Sequence, residues 1–349
     1  MDILNKLNNS DNRNKALWER AMLSIEKYPS FIESALPYFA TIFNQSQLRH
    51  FAEYFTELIV SENKTITGIN DHFLNHIDQS AKNHFLTDSN CDDTKRTAKR
   101  LDLILEQCRI KRITDGLLLV IDKTLTHKTG EQIEAVDWSW DHPNHFYTLG
   151  HQLVSSQFVA KDFHVSIDSR LYRKEEDIGK EHFKSKLDLA VELIDQAVKT
   201  HISFTRVAGG SWYFCDKIIN HLSRLHKDWT IDTILSCYAQ RWPIETFYKD
   251  AKQNLGFELC EMRRIRGIHR HWNLVFLAYK LLEFESLSGI LNKWIKSNVV
   301  TICGKCHMVS SEIVRSFIFW TYQHLNQGVD PDSVFSKTFQ NSKQLKFAL

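Results

Sequence analysis

The stretch from Tyr238 to Lys252 places several chemically specific side chains at helical spacing. Within it, Glu245, Lys249 and Lys252 follow one another at steps of four and three residues. On an α-helix, a carboxylate and two cations would therefore share one face. Tyr238 and Arg241 extend the same stripe upstream. Such a face either belongs to a functional site or is an exposed surface with Glu–Lys pairing.

A second candidate is Asp122, which follows the continuous apolar run G-L-L-L-V-I. A run of this kind predicts a central strand that is buried on both faces and ends near the aspartate. A carboxylate there is costly unless it binds a cation or accepts good hydrogen bonds. We therefore interpret Asp122 as a cation ligand, with a structural hydrogen-bonding role as the alternative.

Two further clusters have spacings that metal sites use. His142 and His145 lie in a D-H-P-N-H segment, and Cys303, Cys306 and His307 form a C-x-x-C-H group. No further ligand pair follows either cluster at metal-ligand spacing. We interpret the first as a polar turn and the second as a loop between two helices, with half a zinc site as the alternative.

The segments around these residues predict an α/β fold at residues 111–285. Three strand-like segments, I-E-A-V-D-W-S-W, Y-T-L-G-H-Q-L-V-S-S-Q-F-V and F-H-V-S-I-D-S-R-L-Y, pair most simply as an antiparallel meander beside the Asp122 strand. An amphipathic helix, a strand ending at Gly209-Gly210 and two more helices follow. This order indicates a mixed sheet with helices on its faces. Pro243 fits the first turn of the last helix.

Helical periodicity dominates both ends of the chain. It predicts a helical N-terminal domain at residues 1–110 and a helical C-terminal region at residues 286–349. In the first, T-I-T-G-I-N-D-H-F-L-N-H-I is either a DNA-reading helix-turn-helix or a polar turn in a packing domain. The cluster K-R-T-A-K-R (Lys95 to Arg100) either contacts phosphates or is a solvated helix face.

Composition bounds the class of protein. A hydrophobic content of 43% is ample for a buried core, and 44 basic against 42 acidic residues leave a net charge of only +2. Nucleic-acid binding would therefore depend on local clusters. No run of about eighteen apolar residues predicts a membrane span. Seven scattered cysteines suit reduced thiols, and we expect a cytoplasmic protein.

The spacing of Tyr238, Arg241, Glu245 and Lys252 (Y-x2-R-x3-E-x6-K) resembles the signature of DDE transposases of the insertion-sequence-four superfamily, including the insertion-sequence-701 group. Three more segments are similar to family motifs in the same order: V-I-D-K-T-L-T-H-K-T-G, S-W-Y-F-C-D-K-I-I, and K-Q-N-L-G-F-E-L-C-E-M-R-R with I-H-R-H-W. The resemblance covers roughly residues 45–285. It implies a ribonuclease-H-like core, in agreement with the predicted order of elements.

The resemblance also implies DNA cleavage and strand transfer by two-metal phosphoryl transfer, in which three carboxylates would hold two Mg²⁺ or Mn²⁺ ions. Asp122 and Glu245 would be the first and third metal-binding catalytic carboxylates. The residues that would contact DNA phosphates are Tyr238, Arg241, Lys249 and Lys252. The implied partners are double-stranded DNA, at the transposon inverted repeats and the target, and a second copy of the chain on that DNA. A membrane partner is not implied, and the expected location is the nucleoid in the cytoplasm.

Two departures from the family pattern bear on activity. The second aspartate is expected directly before S-W-Y, where this chain has Gly210 and thus no ligand atom. If this removes about 4 kcal/mol of transition-state stabilisation, the rate falls by roughly three decades. Asp216 is expected to face elsewhere. Only 34 residues separate Gly210 from Glu245, so we also expect the last core strand of the family fold to be missing there.

The sequence thus predicts a transposase whose catalysis is impaired. The alternative is a catalytically inactive DNA-binding remnant that acts as a repressor of a transposon. A stand-alone metal nuclease is a third reading, but it would make the Y-R-E-K spacing a coincidence.

Overall fold

A computed structural model describes residues 24–65, 72–75, 78–110, 117–160, 163–200, 204–213, 215–225, 242–288 and 301–339. Its helices are α1 (Ser30–Phe39), α2 (Gln45–Val60), α3 (Gln79–Thr87), α4 (Asp93–Ile110), α5 (Glu175–Ile178), α6 (Lys186–Lys199), α7 (Asp216–Leu225), α8 (Trp242–Asn254), α9 (Ile265–Ser288), α10 (Ile302–Asn326) and α11 (Pro331–Phe339). Its strands are β1 (Leu118–His127), β2 (Asp137–Asp141), β3 (Phe146–Ala160), β4 (Phe163–Tyr172) and β5 (Arg206–Gly209). The mixed α/β fold predicted from the sequence is confirmed, and it is compatible with a ribonuclease-H-like core.

The chain divides into two compact units, Met1–Cys91 with Glu285–Leu349, and Asp92–Phe284. The predicted division at residues 110 and 285 stays a prediction, and α4 falls in the second unit. Among the helices of the described residues, none is long and apolar enough to cross a membrane.

The first unit is helical, as the periodicity of its sequence predicts. Its longest N-terminal helix, α2, begins with a capping box in which Asn44 and Gln47 each accept a hydrogen bond from the other's backbone N–H. From Phe51 to Val60 every residue of α2 is buried, and α10 packs against this helix. The buried stretch of α2 from Phe51 to Val60 is therefore a central part of this unit's core.

The buried charges of α2 are paired. Glu53 lies 2.9 Å from Lys82, and Glu57 lies 2.7 Å from the Nδ1 atom of His72. His72 belongs to the segment in which a helix-turn-helix was one of two readings. Residues 72–75 form a bridge and a turn, so the second helix of that reading is wrong where the structure describes it. The remainder, residues 66–71 and 76–77, lies outside the described residues.

In the C-terminal part of this unit, the segment of Cys303 and Cys306 differs from the sequence expectation. Cys303 and Cys306 lie in the first turns of α10, which Thr301 caps by accepting from the backbone N–H of Gly304, so the expected loop is a helix. The polar segment after Gly328 contains a further short helix, α11.

The second unit is built on a five-stranded sheet in the order β2-β3-β1-β5, with β4 also paired to β3. β3 pairs antiparallel with β1 along one edge, and with β2 and β4 along the other. β5 is parallel to β1. The predicted antiparallel strands beside β1 are confirmed, and β3 is the one that pairs with β1.

The two faces of the sheet are covered differently. The main core cluster joins Leu119 and Ile121 of β1 and Val154 of β3 with buried residues of α6 such as Leu193. Because side chains alternate along a strand, the residues between them point to the other face. On that face, His151 of β3 lies against Trp272 of α9. Asp122, the functional carboxylate predicted on β1, follows Ile121 directly and therefore lies on this second face.

The basic cluster at Lys95 to Arg100 is divided between solvent and interior, because Lys95 is exposed and Lys99 half-buried, whereas both arginines are buried. Arg96 and Arg100 are 4% and 2% exposed, and Arg96 pairs with Asp93. The guanidinium of Arg100 donates to the main-chain oxygens of Ser166 and Ile167. The β3–β4 pairing skips Ile167, a β-bulge, which leaves main-chain groups free for this arginine.

The buried histidine of β3 gives the fold a testable dependence on pH. His151 is 0% exposed, its Nε2–H donates to the main-chain oxygen of Glu134 at 2.9 Å, and burial lowers its pKa from 6.5 to about 4. The unfolded chain therefore binds the proton more readily. We expect the free energy of unfolding to fall by up to about 3 kcal/mol as the pH drops from about 6.5 to about 4.

Chemical denaturation across this range checks the expectation. The His151→Gln variant keeps an N–H donor without titrating, so its stability should depend less on pH between these values. His142→Gln, at an exposed turn, is the matched control and should retain the full dependence. Equal pH dependence in the wild type and His151→Gln would contradict the assignment.

Candidate active site

Asp122 is the fifth residue of β1 and is half-buried. The strand does not end there, as the sequence suggested, because antiparallel pairing with β3 continues to His127. The parallel neighbour β5 does end there, since its last pair is Ile121 with Gly209. Asp122 is thus the first residue of β1 beyond the parallel pairing.

The side chain of Asp122 points toward α8. Asp122 pairs directly with Ser155 of β3, and paired residues of neighbouring strands share a face. The Ser155 hydroxyl lies 2.5 Å from the hydroxyl of Tyr248 on α8. The sheet face that carries Asp122 is therefore the face that α8 covers.

Two hydrogen bonds fix α8 against β1. The Tyr248 hydroxyl donates to the main-chain oxygen of Asp122 at 3.3 Å, and Lys252 Nζ donates to the main-chain oxygen of Leu125 at 2.7 Å. Glu245 is half-buried and precedes Tyr248 by three residues, so it lies one turn away on the same face of the helix. The structure thus brings Asp122 and Glu245 to one side of β1. Pro243 occupies the first turn of α8, as predicted.

Gly210 occupies the position beside Asp122. Extending the parallel register by one residue from the Ile121–Gly209 pair sets Gly210 next to Asp122, with its α-hydrogen in place of a side chain on the same face. The described glycines with positive φ are Gly179, Gly256 and Gly328, so the backbone at Gly210 is one that other residues adopt. Gly210 therefore offers no side-chain atom for a metal at the position where the family pattern has its second aspartate.

Two buried phenols lie within electrostatic range of Asp122. Burial raises the pKa of Tyr213 and of Tyr248 well above the ordinary value, and the Asp122 carboxylate raises both further. Both hydroxyls therefore stay protonated near neutral pH, and Tyr248 can keep donating to β1. Tyr213 follows Gly210 in a short 3₁₀ turn and donates its backbone N–H to the oxygen of Gly210 at 2.8 Å.

A lysine clamp, which sequence reasoning missed, holds the segment after α8 against the end of β1. Buried Lys128 donates to the main-chain oxygens of Glu258 and Cys260, at 2.7 Å each. Lys252 pairs with the Glu258 carboxylate at 2.7 Å. The signal was present as Lys128 in one resemblance motif and Glu258 in another, but only the fold shows that they meet.

Residues 180–281 match a family model described as Transposase DDE domain. A search of the curated proteins finds no match.

The matched segment is less than a third of the chain. It runs from α6 through β5 and α8 into α9, and so contains Gly210 and Glu245 but not Asp122. The match supports a transposase function, an enzyme family of nucleases and transposases, and DNA as the binding partner. The assignment of Asp122 to a DDE site depends on its own motif and on the geometry above.

The donor set fits part of the metal chemistry that DDE transposases use. Asp122 and Glu245 offer the carboxylate oxygens that Mg²⁺ and Mn²⁺ prefer, and Mg²⁺ is commonly held by one or two carboxylates together with substrate phosphates. Within the described residues, no group of three or more His, Cys, Asp or Glu side chains is arranged to hold a metal ion. Asp122 and Glu245 would thus supply two of the three carboxylates that the resemblance implies for a pair of metal ions.

The predicted DNA contacts are placed unevenly. Tyr238 and Arg241 lie outside the described residues, as does most of the interval in which a missing core strand was expected. Lys249 is exposed on α8, whereas Lys252 is partly covered by its bonds to β1 and Glu258. Their roles in DNA binding stay predictions.

The two adjacent glycines at the end of β5 should respond differently to substitution. A methyl group at Gly209 would lie 2.9 Å from the main-chain oxygen of Ile121, a distance that forces β1 and β5 apart. We expect Gly209→Ala to lower the free energy of unfolding by about 1 to 3 kcal/mol. Gly210→Ala should change it by less than about 1 kcal/mol.

Thermal and denaturant unfolding of the two variants, side by side, measures the difference. Gly210→Ala is the matched control, because it adds the same methyl group one residue further along. If Gly210→Ala destabilised the protein as much as Gly209→Ala, the open position assigned to Gly210 beside Asp122 would be wrong.

Proposed function

We propose that the protein is a DDE transposase of the insertion-sequence-four superfamily, similar to the insertion-sequence-701 group, with impaired catalysis. The observation that carries the proposal is the placement of Asp122 and Glu245 on one side of β1, with Gly210 at the adjacent strand end. This is the arrangement that the four linked sequence motifs imply. The matched segment at residues 180–281 supports the transposase class.

In this proposal Asp122 and Glu245 hold a divalent cation, Mg²⁺ or Mn²⁺. Such a cation supplies positive charge to the phosphate under attack and to the leaving oxygen. The chain's own contribution is positional. The bonds of Tyr248 to Ser155 and to Asp122 set the helix that carries Glu245 against the strand that carries Asp122.

The cations of α8 supply phosphate contacts near the carboxylates. Lys249 is exposed and has its whole ammonium group available. Lys252 uses donors toward Leu125 and Glu258, and an ammonium has three, so one remains for a phosphate. Tyr238 and Arg241 complete the set by resemblance. We further propose that the protein acts as a homodimer on the inverted repeats, in the nucleoid of the cytoplasm.

A second candidate function is a DNA-binding remnant that represses active copies of a transposon. Gly210 favours it, because the site retains two carboxylates where strand transfer in this class requires three. The two functions differ in chemistry and share DNA-end recognition, so a cleavage assay separates them.

The first test measures binding and cleavage together. We expect purified protein with Mg²⁺ or Mn²⁺ to bind DNA that contains the element ends, and to nick it about a thousandfold more slowly than a three-carboxylate enzyme. Asp122→Asn and Glu245→Gln should remove the residual nicking and leave binding. Nicking at ordinary transposase rates would refute the impairment, and absence of binding to end-containing DNA would refute the function.

The companion test restores the missing carboxylate. Gly210 is not among the described glycines with positive φ, so its backbone does not exclude another residue, and Gly210→Asp should raise the nicking rate by more than tenfold when the rest of the core is intact. Gly210→Asn, of the same size without the charge, is the control and should raise it far less. No gain with Gly210→Asp would locate the primary defect elsewhere, in the shortened interval before Glu245.

A further inference from the structure

Lys123 and Lys186 form a pair of cations on the face of the sheet opposite Glu245. Lys123 follows Asp122 directly and is exposed, and because side chains alternate along a strand it points to the other face. Lys186 is the first residue of α6, the helix that covers this other face. The two lysines belong to different elements and are far apart in sequence.

The register of the sheet places these lysines over neighbouring rows, Lys123 on β1 and Lys186 above β4. Lys123 pairs with Val154, which pairs with Arg170 of β4, and the next row on the same face runs from Leu125 through Gln152 to Tyr172. The Lys186 ammonium lies 4.6 Å from the centre of the Tyr172 ring. Lys186 therefore stands over the strand row next to that of Lys123.

On this flank of the sheet, which is the face that α6 covers, the other cations lie in ion pairs, whereas Lys123 and Lys186 do not. The ion pairs are Lys174 with Asp137, Arg170 with Asp168 and Glu192, Lys184 with Glu192, and Lys217 with Asp188. In the part of the chain that the structure describes, no carboxylate lies within ion-pair distance of Lys123 or Lys186. The flank thus offers two cations without a carboxylate partner, one of them directly after Asp122 in the sequence.

The electrostatics of Lys186 agree with this geometry. Burial, and then the neighbouring charge of Lys123, lower the pKa of Lys186 to about 8. Two like charges held together are unfavourable, and an anion that contacts both would relieve the repulsion. A phosphate group has the charge and the several acceptor oxygens to do so.

We propose that Lys123 and Lys186 together bind one backbone phosphate of the DNA. On the same DNA strand, this phosphate is the neighbour of the phosphate that lies at Asp122. This inference rests on the proposed function and names a substrate contact for it. Asp122 and Lys123, which are neighbours in β1 and point to opposite faces of the sheet, then contact neighbouring phosphates of the same DNA strand. The contact is to the backbone, so it positions DNA without reading its sequence.

The salt dependence of DNA binding tests the proposal. Each phosphate neutralised by a lysine contributes about 0.9 to the slope of log affinity against log salt concentration. Because the two lysines share one phosphate, we expect the double variant Lys123→Ala, Lys186→Ala to reduce the slope for duplex DNA by about 1, measured by fluorescence anisotropy. The charge-preserving double variant with arginine should retain the wild-type slope.

Lys184→Ala with Lys217→Ala is the matched control, because it also removes two cations of this flank, but cations that already have carboxylate partners. A loss of slope equal in the two double alanine variants, or absent from both, would overturn the proposal. Circular dichroism of each variant establishes that it is folded.

A titration with inorganic phosphate separates this inference from the proposed function. With lysines labelled by ¹³C-methylation, the NMR signal of Lys186 should shift with phosphate in the wild type and not in Lys123→Ala. If the wild type binds no DNA, the proposed function fails while a phosphate-dependent shift still supports the pair as an anion site. No shift in the wild type would overturn the inference, whatever the DNA result.

Discussion

The candidate site depends on how α8 is held against β1. Tyr248 reaches the backbone at Asp122, and Lys252, four residues on, reaches the backbone at Leu125. Two contacts one helical turn apart fix both the position of the helix and its rotation about its axis. The direction of Glu245 follows from that rotation. Catalytic groups must be held within about 0.5 Å of their working geometry, and buried bonds to a central strand are a rigid means of doing so.

Much of this arrangement was accessible from the sequence. Apolar runs and periodicity predicted the strands, the helices and the mixed sheet, and Pro243 predicted the start of α8. The end of β1 was not predictable, because its pairing with β3 uses main-chain groups and continues through the polar residues after Asp122. Nor was the register, which decides that Ser155 and Gly210 are the neighbours of Asp122. A register is a relation between distant segments, and one sequence does not contain it.

Charge patterns misled for a related reason. A run of cations usually indicates a helix face that is exposed to solvent, because burying an unpaired charge is costly. At Arg100 the cost is offset by main-chain oxygens at Ser166 and Ile167, where the strand pairing is interrupted by a bulge. The order of side chains in the sequence does not show which main-chain oxygens are free to accept a hydrogen bond. The lysine clamp of Lys128 works in the same way, with main-chain oxygens of a segment far away in sequence.

The two glycines that end β5 are small for different reasons. Gly209 has no room for a side chain, since an added methyl group would meet the main-chain oxygen of Ile121. Gly210 is not among the described glycines with positive φ, so its backbone conformation does not demand a glycine. Its lack of a carboxylate is a change in the chemistry of the site. Under the proposed function, such a change removes catalytic power and leaves the helix, the strand and the cations that engage DNA in place. A protein that occupies DNA ends without cutting them needs this combination, and so Gly210 connects an impaired transposase with a repressor.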